Sequence, residues 1–327
     1  MQTNNPTDGF ATPSNGPSTG GAAPRLPKGL PSFHFSIFPF FFGAIFFLSG
    51  FLAFLAPFPV LMAWYRMGRV WGWLALLTNA VLVAWIGHWG ALGIFLIGVA
   101  PIALVLPELL KPGRSVESAA LLVLGVIFIC LALGTWGYGL KFHVNPIVHF
   151  KDRFNEILDA LIATVTPDTR KVWLNGLEVA DWKKELIAEI PSVAMIAALL
   201  MVWGNLILLL RANPNELRTR LGLKASFFRD WKVPEFLVWP TIACGAAILF
   251  GEGRIVGMGM NLFKFFMALY ALQGLCVMSF ALDVWRVKRW IRALIYIFTV
   301  SVMLPLILSV GFFDLWFDFR TKFRQKQ

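Results

Sequence analysis

The sequence predicts an all-α protein: a polytopic transmembrane helix bundle of about 8–9 spans, with an amphipathic extramembrane helical hairpin between two groups of spans. Three observations predict it. The 327 residues are 58% hydrophobic and only 14% charged, whereas a soluble domain carries about a quarter charged residues. Apolar runs of the length that crosses a hydrocarbon core of about 30 Å recur along the chain. Between them Lys and Arg collect in short loops, and the 14 tryptophans suit the half-wet interfaces of a bilayer.

Residues 1–31 are rich in Asn, Thr, Ser, Gly and Pro. They bury too little to fold and read as a disordered polar tail. They do not read as a signal peptide, because no small-residue cleavage site follows the first apolar run. N-terminal membrane helices occupy 32–140. The first span is expected at about Phe35–Leu55, followed by a Pro57-x-Pro59 break and a short apolar helix to Tyr65. That helix is too short to cross alone. It is expected as a half-helix or kinked helix packed in the bundle, because prolines leave backbone groups that protein must satisfy. Further spans are expected at about Val70–Ile86, Ala91–Leu110 and Val116–Leu140.

Residues 141–189 differ. Charges mix with Phe150, Phe154, Ile157, Leu158 and Leu161 at helical spacing, Asp168 and Thr169 suit the start of a short helix, and Ala180–Ile190 is amphipathic. This is the pattern of a hairpin near the bilayer surface. The C-terminal membrane helices, over 190–319, are expected at about Pro191–Leu210, Glu235–Phe250, Met258–Leu282 and Ile291–Phe312, with Pro191 in a first helical turn. Residues 320–327 form a basic tail.

The net charge of +11 does not imply nucleic acid as a partner. The cations at Arg66/Arg69, Lys111/Arg114, Arg211–Lys232 and Arg286–Arg292 lie between apolar segments, where they set orientation and meet anionic lipid of the bilayer. Placing all four clusters in the cytoplasm puts the 141–189 hairpin outside. It also puts the C-terminus outside, which the cations Arg320, Lys322, Arg324 and Lys326 oppose.

No phosphate-binding loop, dinucleotide fingerprint or Cys/His metal pattern is present. No enzyme activity, cofactor or metal is therefore expected. Cys130, Cys244 and Cys276 read as small buried hydrophobes, and His34, His88, His143 and His149 as interfacial residues. Polar residues inside spans are more informative, because each costs free energy in hydrocarbon without a partner. Thr78 and Asn79 lie mid-span, as do Asn205, Asn261, Lys264, Tyr270 and Gln273. Two readings stay open for the last five: they converge on a solute-binding cavity, or they hydrogen-bond helices together. Lys264 also lies close enough to its span's start to snorkel. Trp231 and Pro234 precede Glu235, whose carboxylate suits the first turn of a helix. Asp314, Trp316, Asp318 and Arg320 suggest an interfacial ion pair with a Trp anchor.

The block Trp231-Lys-Val-Pro234-Glu235 with Trp239-Pro240 resembles the YybS-like family of bacterial membrane proteins. So do Asn261, Tyr270-Ala-Leu-Gln273-Gly274 and Gly311-Phe-Phe-Asp314-Leu-Trp316-Phe-Asp318-Phe-Arg320. The resemblance spans residues 35–322. It implies distant similarity to the substrate-binding membrane components of energy-coupling-factor transporters and to the cell-shape membrane protein MreD. The expectation that follows is a small-solute-binding or permease subunit of the bacterial cytoplasmic (inner) membrane, working with other membrane or ATPase subunits. The alternative is a scaffold that recruits cell-envelope proteins.

Overall fold

The computed structural model describes residues 33–111, 115–212 and 227–324. The tail 1–31, turn residues 112–114, basic-loop residues Arg218, Arg220 and Lys224, and Lys326 lie outside the described residues. The regular structure is helical, with no strand among the described residues.

Helix α1 (Phe33–Leu48) is followed by a 3-10 turn (Ala53–Leu55) and α2 (Pro57–Met67). The expected first span therefore stops short of Leu55: the chain turns at Gly50, whose φ of 69° favours glycine. Pro57 suits the first turn of α2, and Pro57 and Pro59–Ala63 are buried. The Pro-x-Pro break thus produces a separate short helix packed in the bundle.

Helix α3 (Arg69–Gly98) runs almost directly into α4 (Ala100–Leu109). The expected boundary near residue 88 exists as a kink, with His88 at φ 61° and ψ −177°. Exposed Trp71 and Trp73 lie near one end of the first segment, and exposed Trp85 and Trp89 near the kink. At 1.5 Å per residue the pairs are separated by roughly 20 Å, a spacing that suits two interfacial belts. Helix α5 (Val116–Phe142) starts at Ser115, whose hydroxyl accepts from Ser118 N at 3.2 Å.

In the hairpin, α6 (Pro146–Thr164) is capped by Asn145, which accepts from Ile147 N at 3.0 Å. Thr166 caps α7 (Pro167–Leu174). Leu158 and Ile162 of α6 are buried, while Phe150, Ile157 and Leu161 are exposed. Helix α8 (Val179–Ala212) corrects the sequence reading. It runs without interruption from the amphipathic segment into the apolar span, so Pro191 lies inside a 34-residue helix.

The C-terminal half comprises α9 (Phe227–Asp230), a 3-10 turn (Glu235–Leu237), α10 (Val238–Phe250), α11 (Arg254–Val284), α12 (Arg289–Val302), α13 (Leu304–Phe317) and α14 (Phe319–Arg324). The expected span Ile291–Phe312 is not one straight helix: α12 and α13 meet at 98°. Pro305, in the first turn of α13, lacks the N–H needed to continue α12. Along α12, Trp290, Leu294, Ile297 and Phe298 form an exposed apolar stripe, whereas Thr299 is buried. That is the pattern of a helix lying in an interface.

Four helical stretches among the described residues are long and apolar enough to cross a membrane: Arg69–Leu109, which folds back at its kink so that Arg69 pairs with Glu108 at 3.2 Å, α5, α8 and α11. The bent α12–α13 pair makes a fifth if counted as one span. The expected 8–9 spans are not confirmed. With 16, 11 and 13 residues, α1, α2 and α10 fall short of the ~20 needed to cross alone.

The C-terminal segment is also relocated. Arg320 of α14 donates to the Arg229 carbonyl at 3.1 Å, and Arg229 pairs with Asp283 at 2.5 Å. The segment therefore lies with the basic loops, because the bent α12–α13 pair does not carry the chain straight across. Helix α13 packs on α11 through Gly274 and Gly311. A Cβ at Gly274 would lie 2.0 Å from the Ile307 oxygen, and one at Gly311 would lie 1.8 Å from the Tyr270 oxygen. Backbone touches backbone there, which only glycine permits.

Candidate functional site

The five polar span residues do not meet in one cavity. Asn205 is fully buried, and its Nδ2 donates to Phe54 O and Met201 O, both at 2.7 Å. Gln273, also fully buried, accepts from Val233 N at 2.9 Å and donates to Asp314 at 3.0 Å. The Tyr270 hydroxyl shares a 3.2 Å hydrogen bond with Thr241. Asn261 and Lys264 lie nearer the opposite end of α11. Asn261 Oδ1 accepts from Ser192 N at 2.9 Å, and Lys264 pairs with Glu189.

These amides share a local logic. Asn205 serves the turn just before Pro57, Gln273 the peptide before Pro234, and Asn261 the residue after Pro191. Asn79 does the same for α1, accepting from Ala44 N at 2.6 Å and donating to Pro39 O at 2.8 Å. Lipid offers no hydrogen bonds, so backbone groups beside a proline must find protein partners. The four amides supply them. Asn79→Leu should therefore lower the thermal midpoint markedly in detergent, since each unmet buried group costs about 1–3 kcal/mol. A midpoint equal to the parent's would refute the role of this residue.

The C-terminal cluster is a buried knot. Asp314 is fully buried and accepts from Arg320 at 2.9 Å, Gln273 at 3.0 Å and Phe319 N at 3.0 Å. Trp231 is buried against Trp203, with ring centroids 4.5 Å apart. Trp316 is exposed. Pro234 precedes the 3-10 turn that Glu235 opens, and Glu235 is exposed. The carboxylate thus heads a three-residue turn, and the regular helix begins only at Val238.

Asp318 pairs with Lys232 at 3.0 Å. The Thr321 hydroxyl, then Lys232, hold its carboxyl below the usual range against a burial effect that raises it. A depressed folded value means stabilisation that is present above the unfolded pKa and lost as pH falls through the folded one. Asp318→Asn should therefore flatten the acid limb of the melting-temperature profile slightly. An unchanged acid limb would count against this linkage.

At the other end of α8 and α11, three helices frame an open groove of ≈ 1040 Å³. Helix α6 contributes Lys151 and Asn155, one turn apart. Helix α8 contributes Lys183, Lys184, Ile187, Pro191 and Met195, and α11 contributes Arg254, Met258, Asn261 and Leu262. The spacing of three to four residues places each set on one helical face. Lys183 pairs with Asp159. Lys151, Lys184 and Arg254 form no ion pair among the described residues, and no carboxylate lines the groove. Of the five polar span residues proposed from the sequence as a solute site, only Asn261 lines it. The four cations were missed because they come from three separated segments. The adjacent pair Lys183-Lys184, just before the chain turns apolar, was the available signal. Asp283, which joins Arg229 and Arg292, was also missed.

Long apolar helices, with interior amides serving the backbone at proline breaks, define an integral membrane protein of the helical-bundle class. Over residues 35–315 the chain matches the family model described as predicted membrane protein (DUF2232), and it belongs to that family. No curated protein and no solved structure matches the chain.

Proposed function

We propose that the protein is a non-catalytic binding subunit of the bacterial cytoplasmic membrane that holds an anionic small molecule in the groove between α6, α8 and α11. In this reading the basic loops face the cytoplasm and the groove opens on the outer side. One observation carries it: three cations that form no ion pair among the described residues, with Asn155 beside them, converge on a concavity lined by no carboxylate. Its volume is at the upper end of small-ligand sites, about 300–1,000 Å³. The resemblance to substrate-binding components of energy-coupling-factor transporters fits this reading, with energy supplied by a separate ATPase subunit. Native mass spectrometry of the full-length protein is expected to show a co-purified anion that is lost in K184Q/R254Q.

The scaffold reading, similar to MreD, draws support from a different observation. Asn205 and Gln273 are committed to the protein backbone, while Ile147, Ile157 and Val172 of the hairpin are exposed and offer an apolar face to an envelope partner. If no anion is retained, and polar substitutions at these three residues abolish capture of envelope proteins, the scaffold reading replaces the first.

A further inference from the structure

The groove changes character along its depth, and the change coincides with a boundary in the sequence. On α8, charged residues run up to Glu189, and 190–210 contains none. On α11, the only charged residue between Arg254 and Asp283 is Lys264, and it pairs with Glu189. Where charges cease on two neighbouring helices, hydrocarbon begins. The Glu189–Lys264 pair therefore marks the level at which headgroups give way to acyl chains.

The groove straddles that level. Lys184 and Arg254 lie on the headgroup side, joined by Lys151 of the extramembrane hairpin. Met195, one turn beyond Pro191, lies in the uncharged stretch of α8, and Leu262 stands at the boundary itself, two residues before Lys264 on α11. A soluble anion would use the cations and leave the apolar floor wet. A molecule with an anionic head and an apolar tail satisfies both parts. Methionine floors also adapt to flexible chains, and Met195 and Met258 both line this one.

Resting on the binding-site reading above, we infer that the ligand of this groove is an anionic glycerophospholipid, with its phosphate among Lys151, Lys184 and Arg254 and an acyl chain along Met195 and Leu262. Lipid enters sideways from the bilayer, which the open form of the groove permits.

The test uses the full-length protein in detergent micelles, with binding read by native mass spectrometry. Probes are dioleoylphosphatidylglycerol, dioleoylphosphatidylcholine and glycerol phosphate. Phosphatidylglycerol should bind at least tenfold more tightly than either of the others. K184Q and R254Q should each weaken it about fivefold, as roughly 1 kcal/mol per basic residue near an anionic surface implies. Lys288→Gln, at the opposite end of α11, should leave it unchanged. Met195→Asn should weaken the lipid and spare glycerol phosphate. Circular dichroism confirms that each variant keeps its helical content. If glycerol phosphate binds as tightly as the lipid, the amphiphile inference falls and the anion-site reading stands. If phosphatidylcholine matches phosphatidylglycerol, or the cation variants bind like the parent, both fall.

Discussion

Asp314→Ala lowers the thermal midpoint in detergent by a large margin, corresponding to about 3–5 kcal/mol of lost stability. The cause is the charge left behind. Arg320 is 3% exposed, and without Asp314 its buried guanidinium loses its ion-pair partner and keeps only the electrostatic influence of Asp318. The same change removes the acceptor for Gln273 and for Phe319 N, so three donors lose a partner at once. The double variant D314L/R320M removes both charges and is expected to recover most of the loss, because a buried ion pair offsets its own desolvation only in part. A single variant that melts within a degree of the parent would show that the pair holds nothing. A double variant as unstable as the single one would show that shape, and not charge, is at stake.

Gly311→Ala is the second large effect. Its Cβ would lie 1.8 Å from the Tyr270 oxygen and 2.6 Å from Gly274 N, both main-chain atoms. No rotamer change relieves such a contact, so α11 and α13 must part. Overpacking of this kind costs about 1–3 kcal/mol and sometimes more. Gly274→Ala, whose Cβ would lie 2.0 Å from the Ile307 oxygen, should behave alike. Gly245→Ala is the control, since a Cβ there meets nothing within 4 Å. Equal melting of G311A and G245A would remove the glycine crossing from the account.

The all-helical membrane character was legible because charge is too scarce to cover a soluble surface. The short helix at Pro57 was legible because two prolines and a short apolar run leave little choice. Asp314 and Arg320 stood out as a candidate pair because they are close in sequence. The span count was less accessible: Pro101 and Pro191 look alike in a sequence, yet one opens α4 and the other sits inside α8. What decides is whether a side chain elsewhere serves the neighbouring backbone, as Asn261 serves Ser192. That pairing joins residues 69 positions apart. The groove was hidden for the same reason, since Lys151, Lys184 and Arg254 meet only after three helices pack.

The glycine crossing also bears on how the chain is made. Helix α13 has 14 residues, about 21 Å at 1.5 Å per residue, against a hydrocarbon core of about 30 Å. Its length gives an insertion machinery little to recognise. Helix α11 leaves the ribosome first, with Gly274 already presenting a backbone-width notch. Entry of α13 is then a docking onto a helix already in place, with the Asp314–Arg320 latch closing once Arg320 has emerged.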